Sequence, residues 1–334
     1  MPQVSVVIVN WNGLALLPDC LDSLSACGTP LEIIVVDNGS TDGSVGYLRQ
    51  RPEIVVIGNA TNTGYAPANN AGIARATGEF VLLLNNDTRV APGFLEPLLH
   101  MMSTTADVGA GQCKMLSFDP PYRVDAYGSY LLRTGFLYHL RYGKPDPPPE
   151  PPFEIFGAKD AAMLIRASVL RDVGGFDPDF FAYLEDSDLS WRIWLGGWRV
   201  LCVPESVVYH RGGATASRLP SAFVTFHSFK NRTCMLLKNL STPAAWRILP
   251  VHLALNLGLI AMELIRGRGG AARAVASALN WNRRHLRATL RKRRDVQQRI
   301  RRVSDRALLP RITRRVRPSY YWYLLTGGLD RFSE

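Results

Sequence analysis

Two phosphate-binding signatures are missing from this 334-residue sequence. No GxGxxG follows the first predicted strand, so a dinucleotide-binding domain would lack its phosphate cradle, and no GxxxxGK[ST] supports a P-loop ATPase. Cysteine is scarce, with five residues and no CxxC pair. The chain opens Met-Pro-Gln-Val without a basic and apolar signal segment, and these features together predict a reducing, cytoplasmic location.

Long apolar runs are also rare. The stretch 249–265 is apolar but only seventeen residues long, and it contains His252, Asn256 and Glu263. A transmembrane helix normally needs about 20 predominantly apolar residues. The stretch therefore predicts an interfacial or buried helix rather than a membrane span.

Acidic residues are sparse in one segment. Residues 266–317 contain eighteen Lys or Arg against Asp295 and Asp305, which gives +16 there and leaves −5 for the rest of a chain of net charge +11. Apolar residues within 286–312 alternate with arginines in a basic amphipathic pattern, at Leu286, Leu290, Val296, Ile300, Val303 and Leu308. Such a pattern favours an anionic membrane surface. Nucleic acid binding, or a solvated helix packed on the protein, is the alternative.

The first 90 residues alternate short apolar runs with helical periodicity. Strands are predicted over 4–9, 31–36, 54–57 and 80–84, with helices between them. The order β-α-β-α-β-α-β is typical of a parallel sheet with right-handed crossovers, covered by helices on both faces. The predicted fold class is therefore α/β, with a mostly parallel central sheet.

Polar residues follow three of these strands, as Asn10-Trp11-Asn12, Asp37-Asn38 and Asn85-Asn86-Asp87. In open α/β sheets, ligands bind beyond the carboxyl ends of the strands, so these positions are site candidates. Asn and Asp also form turns. Taken alone, the triplet at 85–87 is as consistent with a turn as with a site.

The pattern weakens over the Tyr- and Pro-rich residues 114–152, for which no regular structure is predicted. Their proline-rich end, 144–152, suggests a stiff extended segment that forms a mobile loop or a surface strap. A second acidic cluster, Glu185, Asp186 and Asp188, then precedes a helix whose first turn favours negative charge. Helix capping alone accounts for Asp188. Asp186 has aromatic and apolar neighbours that would desolvate it and raise its proton affinity. His210 ends a later strand and is followed by glycines.

Taken together, these motifs resemble the family 2 glycosyltransferases with the GT-A fold, especially a bacterial branch that includes rhamnosyltransferases. The resemblance covers roughly residues 4–240. Several spaced motifs in the same order make it specific: Val6–Asn12, Val35–Ser44, Asn62-Thr63-Gly64, Asn69–Gly72, Asn85–Asp87 and Phe181–Leu189.

The resemblance implies a nucleotide-sugar donor site at the strand ends. It implies that Asp37 contacts the nucleobase or ribose and that Asn10, Trp11 and Asn12 line the same pocket. Other residues of the matching motifs are expected to bind substrate, namely Asn62, Gly64, Asn69, Asn85 and Asn86.

The resemblance also implies the chemistry. Asp87 matches the metal-binding member of an Asp-x-Asp motif, and His210 matches a histidine that joins the metal shell. The metal, Mg²⁺ or Mn²⁺, would neutralise charge on the departing nucleoside diphosphate. Asp186 matches a general base that deprotonates the acceptor hydroxyl, with Glu185 orienting the base or the acceptor. A single displacement implies inversion.

Two positions depart from the family pattern. Asn85 stands at the first Asp of the metal motif, and Asn38 stands where many relatives carry a second Asp. Asn85 removes a charge that would bind the cation. A scaffold that binds sugar nucleotides or glycans without catalysis is therefore the alternative to an inverting transferase.

The expected organisation is a catalytic domain over residues 1–240, with a donor half to about 112 and an acceptor half over 113–240. A basic helical extension, 241–334, follows. The resemblance suggests dTDP-rhamnose as the donor, with a UDP-sugar next, and a glycan or polyprenyl-linked acceptor. The enzyme would be cytoplasmic and peripheral on the inner face of the plasma membrane, held by residues 266–317, with nucleic acid not expected as a partner.

Overall fold

The computed structural model describes residues 3–212 and 219–321. The strands are β1 Val4–Asn10, β2 Leu31–Asp37, β3 Ile54–Gly58, β4 Phe80–Asn85, β5 Thr88–Val90, β6 Val108–Ser117, β7 Val124–Ala126, β8 Ser129–Leu132, β9 Leu137–His139, β10 Phe153–Glu154, β11 Ala162–Arg166, β12 Arg199–His210 and β13 Thr313–Arg314. The helices are α1 Leu17–Ser25, α2 Ser44–Arg49, α3 Tyr65–Arg75, α4 Leu95–Thr104, α5 Ala167–Val173, α6 Glu185–Leu195, α7 Ser221–Asn239, α8 Thr242–Ile265, α9 Gly269–Arg284, α10 Leu286–Asp295 and α11 Asp305–Ile312. A π-helical turn, Val296–Ile300, follows α10.

The central sheet confirms the predicted α/β class. Its strands run in the order β10-β12-β6-β11-β4-β1-β2-β3, with β5 and β7 paired to β12 and β6. The β4-β1-β2-β3 part is parallel throughout, as the alternation of strands and helices predicts. Antiparallel β11 then lies between β4 and β6, so the sheet is mixed beyond these four parallel strands.

Helices cover both faces of the sheet. Successive residues of a strand point to opposite sides, so neighbouring residues enter two different apolar clusters. Val7, Ile34 and Leu83 belong to the apolar cluster that also holds α6 and α7. Val6, Val35 and Leu82 belong to the cluster that holds α1 and α4. These strands are therefore continuously apolar, and polar side chains begin where they end.

Residues 114–143 are more regular than their weak sequence pattern indicates. They contain β7, β8 and β9, and β8, β9 and β13 form a second, three-stranded sheet. Tyr127 and Tyr130 are buried. The proline-rich end is held by Glu150, which accepts a hydrogen bond from the Tyr127 hydroxyl at 2.6 Å. The buried aromatic side chains supply a core that the weak periodicity does not reveal.

The basic segment packs against α6 and α7. Val296, Ile300 and Leu308 are buried in the same apolar cluster as α6 and α7, so the apolar face predicted for a membrane is largely occupied by the protein itself. Lys292 pairs with Asp177 and Asp179, and Arg311 pairs with Glu154. This agrees with the alternative of a charged helix packed on the domain, and corrects the expectation of a free amphipathic face.

The apolar stretch at 249–265 belongs to a longer helix than its composition indicates. Helix α8 has 24 residues, and 18 consecutive residues of it reach a mean hydropathy of 1.9. Within the described parts of the chain it is the one helix whose length and composition would suffice to cross a membrane. The helix begins seven residues before the seventeen-residue apolar stretch, where Ser241 caps it by accepting a hydrogen bond from the Ala244 amide.

Candidate active site

The carboxyl ends of β1, β2 and β4 meet at one edge of the sheet. Asn10 is paired with Asp37, and Asn85 is paired with Val9. The parallel register therefore brings the three predicted polar clusters together, as the strand order requires.

A hydrogen-bonded network joins the loops after β1 and β2. The Asn10 amide donates to Asp37 Oδ2 at 2.9 Å, and the Ser40 amide donates to Asp37 Oδ1 at 2.9 Å. Asn86 donates to Asn10 Oδ1 at 2.8 Å, and Asn12 Oδ1 accepts from the Thr41 amide at 2.7 Å. Asp37 is only 2% exposed, so its carboxylate holds these loops in place, and half-buried Trp11 and Asn12 lie nearer the surface.

Asn38 is buried and forms hydrogen bonds through both ends of its side-chain amide, which explains one departure from the family pattern. Its amide nitrogen donates to Asn62 Oδ1 at 2.9 Å and to the Gly64 carbonyl at 3.2 Å. Its amide oxygen accepts from Asn59 Nδ2 and from the amide and hydroxyl of Thr63. A carboxylate could accept the second set but could not donate the first, so this site requires an amide.

Asn38→Asp should destabilise the fold by about 2–3 kcal/mol, because it leaves two acceptors facing a buried carboxylate. Asn62→Asp is the matched control, since Asn62 Oδ1 only accepts, from Asn38 and from the Gly64 amide. We expect the control to change the free energy of unfolding by less than about 1 kcal/mol. Urea unfolding measures both variants, and equal stability would refute the assignment.

Two predicted substrate-binding residues have structural contacts instead. Gly64 has a positive φ of 99°, and an added Cβ would lie 2.7 Å from the Phe181 ring, so the donor and acceptor halves meet here without room for a side chain. Asn69 is 1% exposed and donates to the Tyr65 carbonyl within α3. Its position suits helix packing better than contact with a ligand.

Asn85, Asp87 and His210 converge on one point at this edge. Asp87 Oδ1 lies 3.1 Å from His210 Nε2, and Asn85 Nδ2 lies 3.4 Å from the same nitrogen. The Tyr65 hydroxyl donates to Asn85 Oδ1 at 2.8 Å. Burial raises the pKa of Asp87, but the hydrogen bond and charge of His210 outweigh burial and hold the pKa below its ordinary value. The sequence-based grouping of these residues agrees with this geometry.

Sequence reasoning missed Asp125 and Lys159. Asp125 is on β7, and its Oδ2 atom lies 2.8 Å from His210 Nδ1. Lys159 Nζ lies 2.7 Å from the same oxygen. Burial raises the pKa of Asp125, but the Lys159 charge and the His210 hydrogen bond lower it overall. The only sequence signal was an acid inside the irregular 114–152 stretch, which spacing does not connect with His210.

The Asp125–His210–Asp87 arrangement fits a divalent cation. A carboxylate on Nδ1 fixes the tautomer of a metal-binding histidine and leaves Nε2 for the metal. His210 Nε2 faces the Asp87 carboxylate, and Asn85 adds an amide beside it. Within the described residues no group of three His, Cys, Asp or Glu side chains converges on a metal position. Asp87 and His210 could therefore supply two ligands, with other oxygens needed to complete the shell.

A cavity of about 420 Å³ opens beside this corner. Its polar lining includes Asp125, His139, Lys159, Asp186 and Arg232, and Tyr127, Leu137 and Leu140 add apolar surface. Asp186 is half-buried and lines the cavity, whereas Glu185 is 5% exposed and does not. The structure thus brings Asp186 to the wall of this cavity and leaves Glu185 behind it.

Three acids lie at or behind this wall, the half-buried Asp186 and the buried Asp160 and Glu185. Burial raises the pKa of Asp186, and burial together with neighbouring carboxylates raises the pKa values of Asp160 and Glu185 well above the ordinary range. Among the described residues, Asp160 Oδ2 and Glu185 Oε2 have no hydrogen-bond partner. The group therefore retains protons at a pH where exposed carboxyls have lost theirs, and its titration is shared among the three.

Asp188 is structural, as the sequence suggests, but it does not cap the helix. It is fully buried and accepts hydrogen bonds from Arg192 at 3.0 Å, Lys238 at 3.0 Å and Asn239 at 2.9 Å. These contacts join α6 to α7. Asp186, two residues earlier, points to the cavity instead.

A mixed α/β sheet with polar strand ends and an adjoining cavity agrees with the GT-A fold of the glycosyltransferases. Residues 5–174, half of the chain, match the model of glycosyl transferase family 2. This protein belongs to that family.

Known proteins place the chain near rhamnosyltransferases. It is 28% identical over 251 residues to the N-acetylglucosaminyl-diphospho-decaprenol L-rhamnosyltransferase of Mycobacterium tuberculosis, covering 66% of this chain and 80% of that protein. Two solved structures share the fold. The mannosyltransferase PcManGT of Pyrobaculum calidifontis, in complex with GDP-Man and Mn²⁺, gives a TM-score of 0.56 at 20% identity over 98% of this chain and 85% of its own. GalNAc-T7 with UDP, GalNAc and Mn²⁺ gives 0.57 at 19% identity, over 71% of this chain and 48% of its own.

Proposed function

We propose that this protein is an inverting glycosyltransferase with Asp186 as its general base. The observation that carries the proposal is the position of Asp186 on the wall of the cavity that adjoins the Asp87–His210 corner. A base there can take the proton of an acceptor hydroxyl as that oxygen attacks the anomeric carbon. One displacement from the face opposite the leaving diphosphate inverts the configuration.

The donor would bind across the β1, β2 and β4 ends. The network of Asn10, Asp37, Ser40 and Asn86 holds the two loops rigid, which keeps their outer surface ready for a nucleoside. Asn12 and Trp11 are the more exposed members. Preorganised polar groups of this kind favour binding because little ordering is required when the ligand arrives.

Asp87 and His210 would hold the divalent cation, with Asp125 orienting His210. When bound, a Mg²⁺ or Mn²⁺ ion would offset negative charge on the diphosphate as the sugar leaves. Asn85 accepts from Tyr65 and supplies an uncharged amide where an Asp is common. The chain would therefore bind the cation with fewer charged ligands than a complete Asp-x-Asp motif provides.

Asp125→Asn should lower metal affinity about 10- to 100-fold, because an amide oxygen orients the His210 tautomer less firmly than a carboxylate does. Titration with Mn²⁺, followed by calorimetry and by transfer rate, measures the change. Asp146→Asn is the control, since Asp146 pairs with Lys114 in a more exposed position. Equal metal affinity in wild type and Asp125→Asn would contradict the role of Asp125.

We infer dTDP-rhamnose as the donor, with a UDP-sugar next, and a lipid-linked glycan as the acceptor. The similarity to the decaprenol-linked rhamnosyltransferase supports this choice. The catalytic unit would be residues 1–240, divided near residue 112, and residues 241–334 would be the extension. The positive charge of 266–317 supports a cytoplasmic enzyme, peripheral on the inner face of the plasma membrane.

A panel of nucleotide sugars, each with and without Mn²⁺, tests the proposed function. We expect a dTDP- or UDP-sugar to raise the melting temperature and to be consumed when a polyprenyl-diphosphate glycan is added. Binding of a donor without transfer to any acceptor would favour the non-catalytic scaffold. No response to any donor would refute a nucleotide-sugar site.

A further inference from the structure

Helix α8 is polar inside and apolar outside. Its polar residues after Pro250 are His252, Asn256 and Glu263, with exposures of 0%, 0% and 7%. The exposed residues over 250–265 are all apolar: Pro250, Val251, Leu253, Ala254, Leu255, Leu257, Gly258, Ala261, Leu264 and Ile265. A helix on the surface of a soluble protein has the opposite distribution.

The buried polar stripe fixes how α8 faces the protein. His252 Nδ1 donates to the Thr134 carbonyl at 3.1 Å, and His252 Nε2 accepts from Asn256 at 3.2 Å. Thr233 of α7 lies 3.4 Å from the same nitrogen. Turning or detaching the helix would expose these groups to lipid without partners, which costs several kcal/mol per group. The helix is therefore held against the protein along its length rather than free to cross a bilayer.

The outward face is large and has positive ends. Residues 250–265 extend over about 24 Å, and Leu257, Leu264 and Ile265 are 60%, 58% and 87% exposed. Trp246, 77% exposed, precedes this face. Exposed Arg247 lies at one end, and Arg268, whose side chain is 65% exposed, lies at the other.

The apolar face continues toward the acceptor cavity. A slot of about 200 Å³ lies between α8 and the β8–β9 hairpin, lined by Phe136, Leu255, Leu259, Met262 and Tyr321. Leu137, the next residue after Phe136, lines the acceptor cavity. One hairpin therefore contacts both the outward apolar surface and the cavity that holds Asp186.

We propose that the outward face of α8 docks the protein on an anionic phospholipid leaflet, with the helix lying in the plane of the membrane. The apolar side chains would enter the acyl region, and Arg247 and Arg268 would meet the phosphates, as in interfacial helices. Docking would place the acceptor cavity beside the leaflet, which would suit a lipid-linked acceptor. This last argument rests on the proposed function, whereas the apolar face and the arginines do not.

Vesicle flotation of the full chain tests the docking face. We expect binding to vesicles of phosphatidylglycerol and phosphatidylcholine, and weaker binding to phosphatidylcholine alone. Leu257→Glu with Leu264→Glu should lower the partition coefficient at least about tenfold. Leu286→Glu with Leu290→Glu is the matched control, because these α10 leucines are also exposed, at 39% and 44%. The control should change the coefficient less than about threefold. Equal loss in both pairs, or loss only in the α10 pair, would overturn the proposal.

Tryptophan quenching provides a second measurement that does not depend on the folding of the glutamate variants. Brominated lipids should quench wild-type fluorescence, and Trp246→Phe should remove most of that quenching. Absence of quenching in the wild type would overturn the proposal. The proposal would also be overturned if the protein bound no vesicles and sedimented as a dimer that Leu257→Glu with Leu264→Glu dissociates. Neither assay contains donor or acceptor, so a negative result would leave the transferase proposal standing.

Discussion

Asp186→Asn should lower the turnover of sugar transfer by about 10²- to 10⁴-fold while the dissociation constant of the donor stays within about twofold. The amide keeps the shape of the side chain on the cavity wall but cannot accept a proton. Donor binding should persist, because the donor edge is built from β1, β2 and β4 rather than from α6. Steady-state rates and donor calorimetry on the same preparation measure both quantities.

Glu185→Gln is the control for this variant. The pKa of Glu185 lies well above its ordinary value because burial and the Asp160 charge favour the protonated form. The amide resembles the protonated form that burial favours, so transfer should remain within about tenfold of wild type. Unchanged turnover in Asp186→Asn, or equal losses in both variants, would remove Asp186 as the base.

The pH profile provides an independent check on the same residue. The active form of Asp186 is the carboxylate, and burial raises the pKa of this group above 3.8. Transfer should therefore rise with pH through a limb above that value and then level off. Because Asp160 and Glu185 titrate with Asp186, the limb should be broader than a single ionisation. A limb at or below pH 3.8 would contradict the raised pKa.

Asp87→Asn should lower transfer by at least about 100-fold and weaken Mn²⁺ binding, because it removes the one carboxylate that faces His210 Nε2 within the described parts of the chain. Asn85 cannot replace the lost charge, since its side chain is a neutral amide whose oxygen also accepts from Tyr65. Metal titrations at saturating donor separate the loss of cation affinity from the loss of rate.

Asp19→Asn is the matched control for charge removal. Asp19 forms an exposed ion pair with Arg211, the residue that follows His210, so it lies in the same region but outside the buried corner. Its removal should change transfer less than about threefold. If both variants lose metal affinity equally, general electrostatics would explain the effect, and the assignment of Asp87 would fail.

The parallel half of the fold could be predicted from sequence because its strands are short, continuously apolar and closed by polar residues. That pattern also located Asp37, Asn85 and Asp87 correctly at one edge. The acceptor half could not be predicted in the same way. There β11 is antiparallel and β7 is three residues long, so Asp125 reaches His210 through pairing between distant strands that periodicity does not encode.

Composition also concealed the role of two segments. The arginine-rich pattern of 286–312 resembles a membrane-binding helix, but Val296, Ile300 and Leu308 pack in the same apolar cluster as α6 and α7. The polar residues of α8 argued against a membrane span and for an interfacial or buried helix. In the structure these polar residues face the protein, and the apolar residues of the same helix are exposed. In both cases the periodicity identifies an apolar face, and only the tertiary structure shows what that face contacts.

The most direct test is the anomeric configuration of the product. Proton NMR of the sugar transferred from the donor found in the nucleotide-sugar panel would report the configuration at the anomeric carbon. A single displacement with Asp186 as base predicts a product inverted relative to the donor. A product of retained configuration would contradict the account.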